Sequence, residues 1–330
     1  MANLDLLSIG DANLDVFIEP SESESLCRVD TKECFIAFSY ADKIPVKSLE
    51  FSIGGNAANN AVGTRRLGVN TAAVLTLGDD STAKQIIEAL EKEGVDLTYV
   101  IQQPSTKSNF NVAITYTGER TIFSHKSPRS YEFPVQLPKV PWAYLTSMGD
   151  SFRPFYNHLS DWLIKNPEVK LGFNPGSRQM RAGLDQLTNI MKLTHVIFVN
   201  KQEAEKLTGF ESKPKVTKEL LMKLSGLGPK AVVITDGSNG SYVFDGNKST
   251  HCGVLPVDAH ERTGAGDAFG SGFLAALIKG KSYAEALMWG TANSSSVIGY
   301  VGSQRGLLTE MDMGVWLERG KSSGVVIEEI

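Results

Sequence analysis

Short apolar strand patterns alternate with helical patterns along most of this chain, and this alternation limits the folds that it can adopt. Strand patterns occur at residues 4–9, 71–77, 170–173, 195–199 and 231–234. Helical patterns occur between and after them, at about 57–67, 82–93, 201–207, 267–279, 283–297 and 310–318. Strands that alternate with helices favour βαβ units. The sequence therefore predicts an α/β domain with a mainly parallel central sheet.

Two stretches interrupt the alternation. Residues 108–125 alternate apolar and polar side chains on both sides of a Thr117-Gly118-Glu119 turn, which predicts a β-hairpin. Residues 16–53 mix aromatic and polar side chains, and the run of serine and glutamate at 21–25 predicts a mobile loop. We interpret 16–53 and 108–126 as a small β-lid. The large domain then comprises residues 1–15, 54–107 and 127–330.

The composition excludes several classes of protein. Of the 330 residues, 42% are hydrophobic and 21% are charged, as in ordinary globular proteins. The net charge of −4, with no cluster of lysine or arginine, argues against a nucleic-acid partner. Cys27, Cys34 and Cys252 show no CxxC spacing, which argues against a disulfide framework and a structural zinc site. No apolar run is long enough to cross a membrane, and we expect a cytoplasmic protein.

Two common phosphate-binding motifs are missing from the sequence. No GxxxxGKS or GxxxxGKT segment occurs, which excludes a P-loop kinase on motif grounds. The GxGxxG fingerprint is also missing, so nothing supports a dinucleotide-binding dehydrogenase.

The segment Thr263-Gly264-Ala265-Gly266-Asp267 places small residues and one carboxylate at the start of a predicted helix. Small residues leave backbone N–H groups uncovered, and helix N-termini bind anions through such groups. An aspartate in the first turn is also favoured by the helix dipole alone. The residues therefore allow either a site that binds an anion beside a proton acceptor, or an ordinary helix start.

Polar residues follow two further predicted elements near the N-terminus. Asn13 and Asp15 come after the first strand, where ligands bind in open α/β sheets, and an extended chain would place them with Asp11 on one face. The alternative for these residues is turn chemistry. Gly54 and Gly55 precede a helix with Asn59 in its first turn, where an amide can bind a hydroxyl group. The alternative there is a glycine turn before a tightly packed helix.

Two later segments also follow strands. Asn200 and Glu203 have the spacing of a helix capping box, although the same oxygens could act near Mg²⁺. Thr235, Gly237 and Gly240 form either a glycine turn into a hairpin or a loop whose amides bind phosphate.

Taken in order, these segments resemble the signatures of the ribokinase-like (PfkB-type) carbohydrate kinases, from Gly10 to Asn293. The resemblance implies a three-layer α/β/α domain with a mainly parallel central sheet and a small β-sheet lid. It also implies ATP-dependent phosphorylation of a hydroxyl group on a sugar or sugar-like substrate. The expected partners are this small molecule and ATP, with Mg²⁺ as cofactor.

The resemblance further implies roles for individual residues. Asp267 would be the catalytic base, and the backbone of Gly264, Ala265 and Gly266 would form an anion hole. Substrate contacts would come from Asn13, Asp15, Gly54, Gly55, Asn59 and Asp267. Nucleotide contacts would come from Asn200, Glu203, Thr235, Gly237, Gly240 and Asn293. Glu203 would also act indirectly at Mg²⁺.

Three departures from the family pattern bear on the substrate and the cofactors. Ribokinases carry lysine at the position of Asn56, and a sugar-binding glutamate in the strand that here reads 145–149 without a carboxylate. Both differences count against ribose. Many members have aspartate where this chain has Glu261, which argues against a potassium site.

Several alternatives stay open at the level of the sequence. The chain could be a nucleoside kinase or a sugar-phosphate kinase of the same family, or a sugar-binding regulator without catalysis. A phosphorylated substrate would need cations near the lid, for which the candidates are Lys32, Lys43, Arg120, Lys126 and Arg129. Uncovered edge strands in the lid also make a homodimer through the lid plausible.

Overall fold

The computed structural model describes residues 3–21, 24–28, 33–116, 119–258 and 263–330. The strands are β1 (Leu6–Gly10), β2 (Asn13–Pro20), β3 (Glu24–Arg28), β4 (Glu33–Ala37), β5 (Val46–Gly54), β6 (Thr71–Leu77), β7 (Asp96–Gln102), β8 (Asn109–Tyr116), β9 (Glu119–His125), β10 (Trp142–Leu145), β11 (Lys170–Phe173), β12 (Thr194–Asn200), β13 (Ala231–Thr235), β14 (Ser241–Phe244), β15 (Ser249–Cys252) and β16 (Ile327–Glu329). The helices are α1 (Asn56–Arg66), α2 (Ser81–Lys92), α3 (Arg153–Lys165), α4 (Ser177–Ala182), α5 (Thr188–Leu193), α6 (Lys201–Thr208), α7 (Lys218–Ser225), α8 (Ala265–Ile278), α9 (Tyr283–Val297) and α10 (Glu310–Ser322).

A ten-stranded sheet forms the centre of the large domain, in the order β16-β15-β14-β13-β12-β11-β10-β1-β6-β7. Within this order, the seven strands from β13 across to β7 pair in parallel. The strands β14, β15 and β16 pair antiparallel and extend the other edge. Parallel strands are buried on both faces, which explains why their sequences read as continuous apolar runs. The predicted α/β class with a mainly parallel sheet is confirmed.

Side chains of the central strands point alternately into two apolar layers. Leu7 and Ile9 of β1 pack in a core with residues of α3, α5, α6 and α7. Leu6, one residue earlier, packs on the opposite face with residues of α8, α9 and α10. The helices therefore cover both faces of the sheet, and the molecule has the expected three layers.

A separate four-stranded sheet has the order β5-β2-β8-β9. It contains the predicted hairpin, β8 and β9, whose connecting residues 117–118 lie outside the described part of the chain. β2 begins at Asn13, so residues 13–15 pair in this small sheet with β5 and β8. The predicted mobile loop is wrong at residues 24–25, because Glu24–Arg28 pairs with Glu33–Ala37 as a two-stranded sheet. Residues 22–23 lie outside the description.

Close backbone packing sets the starts of the two helices that meet at the site. Gly55 precedes α1 with a φ of +93°, and a Cβ there would lie 2.6 Å from the carbonyl oxygen of Asp11. Gly264 precedes α8 with a φ of +81°, and a Cβ there would lie 2.4 Å from the Cβ of Ser303. Both positions need glycine for conformation and for space. In the described part of the chain, no helix is both long enough and apolar enough to cross a membrane.

Candidate active site

A cavity of about 230 Å³ lies beyond the carboxyl ends of β12 and β13, against the starts of α1, α6 and α8. Ligands in open α/β sheets bind at this edge. Six of the residues predicted for the site line this cavity: Asn200, Glu203, Thr235, Gly264, Gly266 and Asp267. The fold thus brings together segments that are far apart in the sequence.

Asp267 lies in the first turn of α8 and is held by two amide side chains from α1. Asn56 Nδ2 donates to Asp267 Oδ1 over 2.7 Å, and Asn59 Nδ2 donates to Asp267 Oδ2 over 2.8 Å. Desolvation by the surrounding protein raises the pKa of Asp267 above its ordinary value, although the hydrogen bonds from Asn59 and Asn56 oppose this change. The structure therefore places at the cavity a carboxylate of increased proton affinity and fixed orientation.

The two amides are themselves oriented by hydroxyl and amide donors. Ser147 Oγ donates to Asn56 Oδ1 over 2.7 Å. Ser303 Oγ and Gln304 Nε2 donate to Asn59 Oδ1 over 2.9 and 3.0 Å. Because each Oδ1 accepts a hydrogen bond, each Nδ2 must face the carboxylate. The sequence analysis did not predict Ser147, Ser303 or Gln304, and it named Asn56 only as a departure from ribokinases.

The backbone at the start of α8 borders the cavity. The first N–H groups of a helix have no partner within the helix. Gly266 lines the cavity, and a Cβ built on it would meet no atom within 4 Å. The N-terminal end of α8 therefore has open space in front of it, where an anion would meet free N–H groups and the helix dipole.

A second polar group lies where β2 and β8 pair in the small sheet. Asp15 Oδ1 accepts hydrogen bonds from Asn13 Nδ2 over 2.6 Å and from Asn111 Nδ2 over 2.8 Å. A Cβ on Gly54 would lie 2.1 Å from Asp15 Oδ2, so a side chain at position 54 would displace this carboxylate. Burial raises the pKa of Asp15, and the bond from Asn111 is the main opposing influence. The sequence analysis missed Asn111, although its alternation in the predicted hairpin was the available signal.

Asp11 does not share a strand face with Asn13 and Asp15, contrary to the expectation from an extended chain. β1 ends at Gly10 and β2 begins at Asn13, so Asp11 lies in the connection between two sheets. Its Oδ1 accepts from Tyr131 Oη over 2.7 Å, and its Oδ2 lies 3.8 Å from Lys126 Nζ. Burial raises the pKa of Asp11, and Lys126 is the main influence against this.

Asn200 and Glu203 form the predicted capping box at the start of α6. Glu203 N–H donates to Asn200 Oδ1 over 2.9 Å, and Asn200 N–H donates to Glu203 Oε2 over the same distance. Burial raises the pKa of Glu203, against the hydrogen bonds from Asn200. Both residues also line the cavity, so the cap and a role at the site are compatible.

The donor set around this cap fits Mg²⁺ bound largely through water and phosphate. No group of three or more histidine, cysteine, aspartate or glutamate residues that could hold a metal occurs among the described residues. Mg²⁺ commonly takes only one or two carboxylates and keeps several waters. The Glu203 carboxylate, with the Asn200 side chain beside it, is a donor set of this kind.

The remaining predicted nucleotide residues are placed differently from one another. Thr235 ends β13 and lines the cavity, while Gly237 begins the single 3-10 turn that follows and Gly240 comes directly after that turn. Asn293 is buried within α9, where its Nδ2 donates to the carbonyl of Ala268 over 2.8 Å. Its Oδ1 accepts from the N–H of Leu308 over 2.9 Å. The structure does not bring Asn293 to the cavity, because its amide links α8 to the segment before α10.

Three of the cations considered for a phosphorylated substrate have protein partners. Arg120 Nε donates to Thr115 Oγ1 over 3.2 Å, and its guanidinium lies over the ring of Phe17. Lys126 pairs with Asp11. Arg129 is buried, and its Nη2 donates to the carbonyl of Lys107 and to Asn109 Oδ1, each over 2.9 Å, while Nη1 donates to the carbonyl of Thr76. Lys32 and Glu261 lie outside the described residues.

The three-layer domain with a separate small sheet is the architecture of solved proteins of the ribokinase fold. The ribokinase of Arabidopsis thaliana, solved with ribose and ATP, superposes with a TM-score of 0.77 at 24% identity, over 96% of this chain and 99% of that one. The Burkholderia thailandensis nucleoside kinase, solved with inosine, gives a TM-score of 0.75 at 19% identity, over 97% and 98% of the two chains. The ribokinase-like architecture with a separate smaller sheet is confirmed.

The family model described as pfkB family carbohydrate kinase matches residues 23–310, and the chain belongs to this family. It is therefore an ATP-dependent phosphotransferase that acts on an alcohol group of a sugar or nucleoside. Among similar proteins, the ribokinase of Haemophilus influenzae is 28% identical over 286 residues, which are 82% of this chain and 89% of the relative. The ATP-dependent 6-phosphofructokinase of Thermoanaerobacterium thermosaccharolyticum is 26% identical over 279 residues, or 81% and 85% of the two chains.

Proposed function

We propose that this protein transfers the γ-phosphoryl group of ATP to a hydroxyl group of a small sugar-like substrate, with Asp267 as the base. The observation that carries the proposal is the position of Asp267 in the first turn of α8. There its carboxylate, held by Asn56 and Asn59, adjoins the open space in front of Gly266. A base beside an anion site is what attack by a hydroxyl group on a phosphoryl group requires.

In the proposed reaction, Asp267 accepts the proton of the substrate hydroxyl as its oxygen bonds to the γ-phosphorus. The backbone N–H groups at Gly264, Ala265 and Gly266 stabilise the charge on the phosphoryl oxygens. Mg²⁺, when bound with ATP, supplies further neutralisation of phosphate charge, and Glu203 with Asn200 would hold it through water. Thr235 lies on the same wall of the cavity and can donate to a phosphate.

For the acceptor, we propose contacts with Asn13 and Asp15, with Gly54 and Gly55 keeping the backbone close. Because position 54 is glycine, no side chain fills the space beside Asp15 Oδ2. This oxygen can therefore accept a hydrogen bond from a substrate hydroxyl group. The carboxylate of Asp15, which is hydrogen-bonded to the neutral amides of Asn13 and Asn111, favours a neutral polyhydroxyl compound over a phosphorylated one, because it would repel a phosphate at close range. A nucleoside remains the second candidate, since a nucleoside also presents a hydroxylated sugar.

The test is ADP release with ATP and Mg²⁺ across ribose, fructose, 2-keto-3-deoxygluconate, common nucleosides and hexose phosphates. We expect turnover on a neutral compound, and a loss of at least ~100-fold in kcat in Asp267→Asn. A folded Asp267→Asn protein with near-normal turnover would refute the assignment of the base. Sugar binding by calorimetry without ADP release from any compound would favour a non-catalytic regulator instead.

We also propose a homodimer through the outer face of the small sheet. Phe51, Val16, Val112 and Phe123 form one row across its four strands. The outer two, Phe51 and Phe123, are 59% and 61% exposed, which is costly for aromatic side chains in water. Light scattering should report a dimer that Phe123→Glu converts to a monomer. The control is Met311→Glu, which changes an exposed apolar residue of α10 and should leave the dimer intact. A wild-type protein that is monomeric at micromolar concentration would contradict the proposal.

A further inference from the structure

We propose that His251 is a positioning residue for the turn that follows Thr235, and that Glu328 of the C-terminal strand determines which nitrogen of His251 carries a proton. The turn comprises residues 236–240, between β13 and β14. The family resemblance assigns Thr235, Gly237 and Gly240 to the nucleotide, and this inference rests on that part of the proposed function. It adds β16, the edge strand of the large sheet, to the elements that set the affinity for ATP.

The turn is closed by its own backbone and lies directly against β15. Asp236 N–H donates to the carbonyl of Gly240 over 2.8 Å, and Asn239 N–H donates to the carbonyl of Asp236 over 2.9 Å. Gly240 has a φ of +89°, and a Cβ there would lie 2.2 Å from the carbonyl oxygen of Cys252. The thiol of Cys252 contacts Thr291 of α9. Contacts from β15 can therefore hold the turn in place.

His251 of β15 contacts the turn with one ring nitrogen and β16 with the other. Its Nε2 lies 2.9 Å from the carbonyl oxygen of Asn239, and its Nδ1 lies 3.3 Å from Glu328 Oε1. The ring also packs against Tyr242, with the ring centroids 4.6 Å apart. The register of the antiparallel pair β15 and β16 places Glu328 opposite His251. The imidazole ring thus connects the edge strand to the turn.

Both neighbours of the ring nitrogens are hydrogen-bond acceptors. A carbonyl oxygen and an ionised carboxylate can only accept, so both contacts are hydrogen bonds only when both nitrogens carry protons. A neutral ring has a single N–H group. Because a hydrogen bond to a carboxylate is stronger than one to a neutral carbonyl, the remaining proton stays on Nδ1 beside Glu328. Nε2 then faces the Asn239 carbonyl with a lone pair, and the turn loses this donor.

Two further titratable groups lie near the ring, Tyr242 of β14 and Asp236 of the turn. Tyr242 Oη donates to the same carbonyl of Asn239, at the longer distance of 3.4 Å. Burial raises the pKa of Tyr242, and the charges of Asp236 and Glu328 act in the same direction, so its hydroxyl group remains a neutral donor. A bond of this length is weak, and it does not replace the bond from His251.

The first experiment measures ADP binding without an acceptor, by calorimetry with Mg²⁺ from about pH 5.5 to 8.5, the range in which histidine side chains lose their charge. In Glu328→Gln the amide can donate to Nδ1, so a neutral ring keeps its proton on Nε2 and its bond to Asn239. We expect the ADP affinity of wild type to fall relative to this variant by about 3- to 10-fold as pH rises, which is the effect of one hydrogen bond. Comparing the two proteins at each pH cancels the titration of ADP itself.

Glu329→Gln is the matched control for this experiment. Glu329 lies beside Glu328 in β16 and is similarly exposed, but it pairs with Lys248 at 3.0 Å and not with His251. This variant should follow the pH dependence of wild type. The proposal is overturned if wild type and Glu328→Gln bind ADP with the same pH dependence, or if Glu329→Gln behaves like Glu328→Gln.

The second experiment tests the position of the donor at about pH 6, where a histidine ring is largely charged. The amide of glutamine reaches the place of Nε2, whereas the shorter asparagine reaches only that of Nδ1. His251→Gln should therefore keep the ADP affinity of wild type. His251→Asn should lose about 3- to 10-fold and raise KM for ATP by a similar factor, with kcat and KM for the acceptor nearly unchanged. Wild-type ADP affinity in folded His251→Asn protein would overturn the positioning role.

Thr235→Val separates this failure from failure of the proposed function. It removes the hydroxyl group proposed to donate to a phosphate, so it should weaken ADP binding. Weaker binding in Thr235→Val together with wild-type affinity in His251→Asn would refute the role of His251 alone. Unchanged affinity in both variants would show that the nucleotide does not bind along this segment, and the inference would fall with that assignment.

Discussion

Replacing Gly266 by alanine tests the anion site without disturbing the fold. Gly266 lies in the first turn of α8, and its added Cβ would meet no atom within 4 Å. Alanine is a better helix former than glycine by about 0.5–1 kcal/mol. We therefore expect the free energy of unfolding of Gly266→Ala to be unchanged or higher, as measured by urea denaturation.

The same methyl group should be harmful to catalysis. It would project into a cavity of about 230 Å³, in front of the N–H groups proposed to bind the phosphoryl oxygens. A methyl group that keeps the phosphoryl oxygens away from one N–H donor should have the effect of losing that donor, which costs about 10²- to 10³-fold in rate, or roughly 3–4 kcal/mol. We expect kcat/KM to fall by about 100-fold in an ADP-release assay, with the affinity for ATP nearly unchanged because most of the nucleotide would lie elsewhere.

The matched variant Gly264→Ala should behave in the opposite way. Its φ of +81° costs an alanine about 1–2 kcal/mol, and its Cβ would clash with Ser303. We therefore expect the free energy of unfolding of Gly264→Ala to fall, so that any loss of activity in this variant would reflect lost stability. A stable Gly266→Ala protein with normal kcat/KM would refute the reasoning, since it would mean that the phosphoryl group does not approach this end of α8.

Three further predictions concern the cap, the base and the link between the sheets. Glu203→Gln should keep the free energy of unfolding within about 0.5 kcal/mol of wild type, because its amide oxygen can still cap α6. The same variant should raise KM for ATP with Mg²⁺. Asn200→Ala should lower the free energy of unfolding by about 1 kcal/mol in urea denaturation, because it removes the cap of α6. The pKa of Asp267 is raised in the fold, so the free energy of unfolding should fall as pH rises through that pKa, because the folded protein then has to hold a buried charge. As pH decreases through the same pKa, kcat/KM should fall, because a protonated Asp267 cannot act as a base. Asp267→Asn should therefore remove this part of the pH dependence of the urea midpoint, and an unchanged pH dependence would contradict the burial argument. Arg129→Met should cost roughly 3 kcal/mol or more, because buried acceptors on Thr76, Lys107 and Asn109 would lose their donor, and a change below about 1 kcal/mol in urea would argue against this.

The large domain could be predicted closely where local pattern determines structure. The apolar run at 71–77 is β6, because burial on both faces of a parallel sheet gives such a strand a continuous apolar signal. The helical pattern at 283–297 is α9. The capping box at Asn200 and Glu203 could also be predicted, since its partners are three residues apart. These features depend on neighbours in sequence.

Contacts between distant segments could not be predicted in this way. Ser303 meets Asn59 across 244 positions, and no periodicity or turn chemistry marks either residue as a partner of the other. Asn293 shows the same limit, since its place in a family motif gave no sign that its amide joins α8 to the segment before α10. The family resemblance identified which segments meet, but only the structure shows which side chains face the cavity.

The carboxylate proposed to recognise the acceptor and the carboxylate proposed to activate it belong to different sheets. Asp15 and Asn111 are carried by β2 and β8 of the small sheet, and Asp267 by a helix on the large one. A relative displacement of the two sheets would change the distance between recognition and chemistry without breaking any bond within either group. An enzyme built in this way can hold ATP while the two groups are apart and consume it only when an acceptor draws them together. Futile hydrolysis of ATP would then be limited by the architecture itself. The rate of ADP release without an acceptor, relative to the rate with one, measures how strongly it is limited.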